Sequence, residues 1–91
     1  MENTHKNGRD REFGERIVGL RRKRGISQKE AAKSIGVSLS AYQKYEYGDM
    51  PTGKNIRKII DFYKCSERWL LTGEGDSYSE AEGVENLIYM T

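Results

Sequence analysis

The sequence predicts an all-α domain of five short helices. Three observations carry that expectation. Apolar residues recur at helical spacing and, before residue 84, nowhere alternate as a strand requires. Asp, Ser or Thr stands ahead of each apolar stripe, and Gly closes four of the five. The chain has 91 residues, room for one domain. A domain of this size buries only about 60–65% of its unfolded surface, so the core must be economical. Leu, Ile, Val and Phe total 17, near the disordered range, but the net charge is only +2. Six Tyr and one Trp add apolar area that the aliphatic count misses.

The first helix is predicted from Asp10, a candidate N-cap, with Phe13, Ile17 and Leu20 at i, i+4, i+7. Arg21, Arg22, Lys23 and Arg24 load its last turn, where cations suit the helix dipole, and Gly25 supplies the left-handed stop. Ser27 and Glu30 form a capping box for the second helix, whose buried side is Ala31, Ala32 and Ile35 and which ends at Gly36. Val37 then leads directly to Ser38, the cap of a third helix carrying Tyr42 and Tyr45 and closed by Gly48. A turn this tight forces the two helices to cross steeply.

Pro51 disfavours helix at Met50. Thr52 caps a fourth helix with Ile56, Ile59, Ile60 and Tyr63 on one face, and Ser66 caps a short fifth with Trp69, Leu70 and Leu71, stopped by Gly73. Residues 1–9 read as a mobile arm, 10–73 as the folded domain, and 74–91 as an acidic linker or tail.

Charge is distributed unevenly. Residues 1–72 hold all 16 Lys and Arg against nine acids, a net of +7. Residues 73–91 hold five acids and no base, a net of −5. A basic body with an acidic appendage suits a polyanion ligand, although a solvated surface with an acidic linker has the same composition. The single His5 and single Cys65 exclude a disulfide framework and a Cys-only zinc site, and they supply no nucleophile–base pair. No catalytic, metal or cofactor site is expected, nor a small-molecule substrate. The polar N-terminus and the lack of any long apolar run predict a cytoplasmic, non-membrane chain.

Residues 28–47 fit the helix-turn-helix pattern position by position. A small residue, Ala32, stands fifth, where the helices touch, and a turn glycine, Gly36, stands ninth. Apolar Ala31, Ile35, Val37, Tyr42 and Tyr45 fill places four, eight, ten, fifteen and eighteen. An ordinary αα-corner rarely meets all seven constraints.

Across residues 13–75 the chain resembles a phage-repressor-type (Xre/Cro/CI-like, lambda-repressor-like) helix-turn-helix domain. The resemblance is most telling at Leu20-Arg21 with Gly25-Ile26-Ser27-Gln28, at Val37-Ser38 with Tyr45-Glu46 and Gly48, and at Trp69 to Gly75. It implies a five-helix DNA-binding domain with its helix-turn-helix at the second and third helices, working as a homodimer on a pseudo-palindromic operator. Three positions depart from the family's habit. Ala31 stands where a larger Leu is common, Tyr42 where a β-branched residue is common, and Lys64 where Gly often ends the fourth helix. The last implies a strained helix end or a lysine in left-handed conformation.

The resemblance also implies an internal ion pair between Arg21 and Glu46. A planar guanidinium that holds a carboxylate would tie the first helix to the third; otherwise Arg21 is one more phosphate contact. In this docking geometry the third helix enters the major groove. Tyr42 and Tyr45 point inward, which leaves Leu39, Ser40, Gln43 and Lys44 as candidate base contacts. Leu39 suits a thymine methyl, Gln43 an adenine edge, Lys44 a guanine, and Ser40 either. Phosphate contacts are expected from Gln28, Ser38, Tyr47, Lys54, Asn55 and Arg57 near helix ends. Leu71, with Trp69, is the candidate dimer contact, because three consecutive bulky residues cannot all face one core. Val84, Leu87 and Ile88 form a further stripe, read either as a dimerisation segment or as the start of a larger C-terminal domain. An antitoxin or other protein-interaction module of the same fold is the competing function.

Overall fold

The computed structural model describes residues 9–78. Five helices follow in order: α1 Arg11–Arg24, α2 Gln28–Ile35, α3 Leu39–Tyr47, α4 Gly53–Tyr63 and α5 Glu67–Thr72. Each begins at the residue whose side chain suits a cap. Asp10 accepts from the Phe13 N–H, Ser27 from Glu30, Ser38 from Ala41, Thr52 from Asn55 and Ser66 from Trp69. The Ser27–Glu30 capping box is reciprocal, with Glu30 Oε1 accepting from the Ser27 N–H at 2.9 Å.

Helix α1 packs on α3 and α5, while α2 packs on α3 and α4. The inward stripe of α1, Phe13, Ile17 and Leu20, meets Ala31, Ala32, Tyr42, Ile59 and Leu70 in one buried cluster. Gly14 marks the closest approach: a Cβ there would run into the Glu46 carbonyl, so only glycine lets α1 lie this near the end of α3. Tyr42 fills more than volume. Its hydroxyl meets that of Tyr63 at 2.6 Å inside the core, which ties α3 to α4 and satisfies both buried groups.

Lys64 ends α4 in left-handed conformation (φ 56°, ψ 42°), one of the two outcomes its position implied. Two isolated bridges flank the helices. Arg9, assigned to the arm, pairs with Asp49 in an antiparallel bridge. Residues beyond Gly73 do not simply lead away: Tyr78 bridges Cys65, the Ser66 N–H donates to the Ser77 carbonyl at 2.9 Å, and Lys23 lies over the Tyr78 ring. Residues 1–8, with His5, and the stripe Val84, Leu87 and Ile88 lie outside the described residues.

Candidate nucleic-acid interface

Helix α3 has two faces. Tyr42 and Tyr45 are buried, and Leu39, Ser40, Gln43, Lys44 and Tyr47 are exposed. Among the described residues nothing covers that outer wall. It also concentrates apolar exposure. Leu39 is 40% exposed, Tyr47 61% and Met50, just past the helix, 40%. Exposed large apolar side chains grouped on one polar helix face mark a contact surface better than any one of them alone. Met50 had drawn attention in the sequence only as a breaker before Pro51; its exposure depends on tertiary packing.

A chain of hydrogen bonds fixes this wall from behind. Arg21 Nε donates to Glu46 Oε2 at 2.6 Å and Nη2 to Oε1 at 3.3 Å, while Nη1 donates to the Ile26 carbonyl at 3.0 Å. One guanidinium thus holds α1, the α1–α2 turn and α3 together. Gln28 Nε2 donates to Glu46 Oε1 at 2.8 Å, and Gln28 Oε1 accepts from Gln43 Nε2 at 3.2 Å. The first residue of α2 is therefore connected to the outer wall of α3 by a side-chain bond. Gln43 is oriented before any ligand arrives.

The electrostatics follow from that network. Burial alone would push the Glu46 carboxyl up, but hydrogen bonds from Arg21 and Gln28, with the Tyr42 hydroxyl adding to them, hold it below the usual range. The hydrogen bond to Glu46 raises Arg21 in turn. Burial pushes the Tyr42 and Tyr63 phenols up, so both stay neutral, and lifts the Cys65 thiol to about 11, which leaves it an inert core residue.

The remaining candidates are spread more widely. Ser38 caps α3 and stays exposed. Asn55 donates its amide to the Tyr45 hydroxyl at 3.0 Å, so its side chain is engaged in holding α4 to α3. Lys54 and Arg57 lie on the exposed side of α4; Arg57 makes a loose ion pair with Glu67 at 3.5 Å. Leu70 is fully buried, and its neighbours Trp69 and Leu71 are half-buried. Arg16, which the sequence did not single out, donates to the Leu70 carbonyl at 2.8 Å and fixes α5 against α1. Trp69 lines a groove of about 480 Å³ with Arg16, Gly19 and Leu20, and no α3 residue borders it. Among the described residues no helix is long and apolar enough to cross a membrane, and no three His, Cys, Asp or Glu side chains gather as a metal ion requires.

Comparison with known proteins agrees with this geometry. The HTH-type transcriptional regulator DicA of Escherichia coli (strain K12) is 36% identical over 65 residues, covering 70% of this chain and 48% of that protein. The cryptic phage CTXphi transcriptional repressor RstR of Vibrio cholerae is 40% identical over 53 residues, covering 57% and 47%. The chain thus spans about half the length of these curated relatives. Among solved structures, the P22 c2 repressor protein in complex with synthetic operator 9T superposes with a TM-score of 0.64 at 35% identity. That match covers 68% of this chain and 96% of the other. The sequence profile of the helix-turn-helix family matches residues 19–70, and the chain belongs to that family.

Proposed function

We propose that this protein is a sequence-specific double-stranded DNA-binding transcriptional regulator, a phage- or prophage-type repressor that binds a pseudo-palindromic operator as a homodimer in the cytoplasm. The observation that carries the reading is the uncovered outer wall of α3, with Leu39, Ser40, Gln43 and Lys44 exposed on a helix held rigidly from behind. Those four side chains read base edges in the major groove, and Lys44 and Gln43 supply most of the discrimination. Gln28, Ser38, Tyr47, Lys54, Asn55 and Arg57 set register on the phosphates. Gln28 keeps one amide hydrogen beyond its bond to Glu46, and the Asn55 contact falls to its amide edge that does not face Tyr45. Leu71 and Trp69, half-buried on either side of Leu70, are the dimer contact. The relatives whose names describe repressors and regulators, and the P22 c2 structure with its operator, support the assignment.

Selection of bound duplexes from a random oligonucleotide pool tests it. The enriched site is expected to be a pseudo-palindrome whose half-site centres lie about one helical turn, roughly 34–36 Å, apart. If two chains neutralise about 6–8 phosphates, log K falls against log[salt] with a slope of about −5 to −7. A pool with no enriched site, or a slope shallower than about −2, overturns the reading.

A further inference from the structure

The segment entering α1 is fastened to the exit of α3. The Asp10 N–H donates to the Gly48 carbonyl at 2.7 Å, and Arg9 and Asp49 form the antiparallel bridge beside it. The approach is close enough that a Cβ on Gly48 (φ 114°) would sit 2.8 Å from the Asp10 carbonyl oxygen. Arg9 is therefore positioned by its main chain. Its guanidinium lies over the Tyr47 ring, 3.9 Å from the centroid. Tyr47 in turn continues the stripe of Ser40 and Lys44, at i+7 and i+3, so the stacked cation lies at the far end of the outer wall of α3.

A guanidinium held over a ring face by its cationic carbon still has N–H groups to offer an acceptor. Among the described residues Arg9 has no hydrogen-bond partner and no paired carboxylate; its link to Asp49 is through the main chain. A fixed backbone and a stacked side chain also reduce the ordering needed to hold an arginine against a ligand. The acceptor that matches a planar, two-pronged, cationic edge is a phosphodiester oxygen pair.

We propose that Arg9 grips the DNA backbone at the C-terminal end of α3, with the Tyr47 ring as its platform. This rests on the DNA-binding reading above. The contact is to phosphate, so it carries affinity and not sequence preference.

The test uses the full chain, a mixed-sequence duplex of about three helical turns, and the duplex enriched from the pool. Affinities are measured across a salt series. Arg9→Ala and Arg9→Gln are expected to weaken binding to both duplexes by the same factor, about 3- to 10-fold at low salt. Each also lowers the steepness of the salt dependence by about 0.9 per bound chain. Tyr47→Ala loses affinity, and adding Arg9→Ala to Tyr47→Ala costs less than Arg9→Ala alone. An Arg9→Ala slope equal to wild type overturns the proposal, as does an Arg9→Ala loss that is as large in the Tyr47→Ala background as in the wild type. A steep wild-type slope with an unaltered Arg9→Ala slope removes Arg9 alone; a wild-type chain without steep salt dependence removes the DNA-binding reading and this contact with it.

Discussion

Arg21 does more than neutralise Glu46. Its side chain is 16% exposed and that of Glu46 only 6%, and three of its N–H groups are committed. Removing it strands a nearly buried carboxylate with Gln28 as its remaining strong donor. Arg21→Ala is therefore expected to destabilise by about 3 kcal/mol, a fall of more than 10 °C in Tm for a domain of this size. Arg22→Ala, on the exposed side of the same turn, should change stability by less than about 0.5 kcal/mol. Thermal melts compare the two directly, and equal Tm values remove the pair from the account. The same network sets the acid limb. Glu46 is more acidic folded than unfolded, so its contribution is complete above the unfolded value of 4.5 and is lost as pH falls through the lower folded value. The stability difference between wild type and Glu46→Gln should shrink on acidification from about pH 6 to pH 3.

Caps and breakers made the helices readable before their packing was known. Five N-caps and four closing glycines act within three or four residues, and local chemistry is what a sequence displays. Partner choice across the fold was harder to read. Gln28 meets Gln43 across 15 residues, Tyr42 meets Tyr63 across 21, and Arg16 reaches the Leu70 carbonyl across 54. A stripe announces that a residue is buried without saying whom it meets. The outer face of α3 was legible by subtraction, because Tyr42 and Tyr45 had to point inward; that Gln43 would be held by Gln28 was not. The Gln43→Ala/Lys44→Ala double variant should keep its Tm within about 2 °C, since both side chains are exposed. It should lose about 10- to 100-fold of its preference for the selected site over mixed sequence, read by competition binding. Undiminished preference would sink the assignment of this wall.

The domain is larger than its helices. Arg9 at one end and Tyr78 at the other are pinned by isolated bridges to Asp49 and Cys65. Neither bridge has a local signature, and Gly73-Glu74-Gly75-Asp76-Ser77 has the composition of a linker, so neither contact was legible in the sequence. Trp69 and Leu71 sit between these limits on α5, whose place is set by Arg16 as well as by Leu70.

Lys64 is the chain's one described non-glycine residue with positive φ, and its exposed side chain occupies a dihedral well that L-residues avoid at about 1 kcal/mol or more. Lys64→Gly relaxes that well and gives back part of the gain as unfolded-state freedom. A net rise of about 3–6 °C in Tm with unchanged DNA affinity is expected, and a fall in Tm would contradict it. A single loaded joint, far in sequence from the reading wall, thus offers ballast for any weakened variant that must stay folded long enough to be assayed.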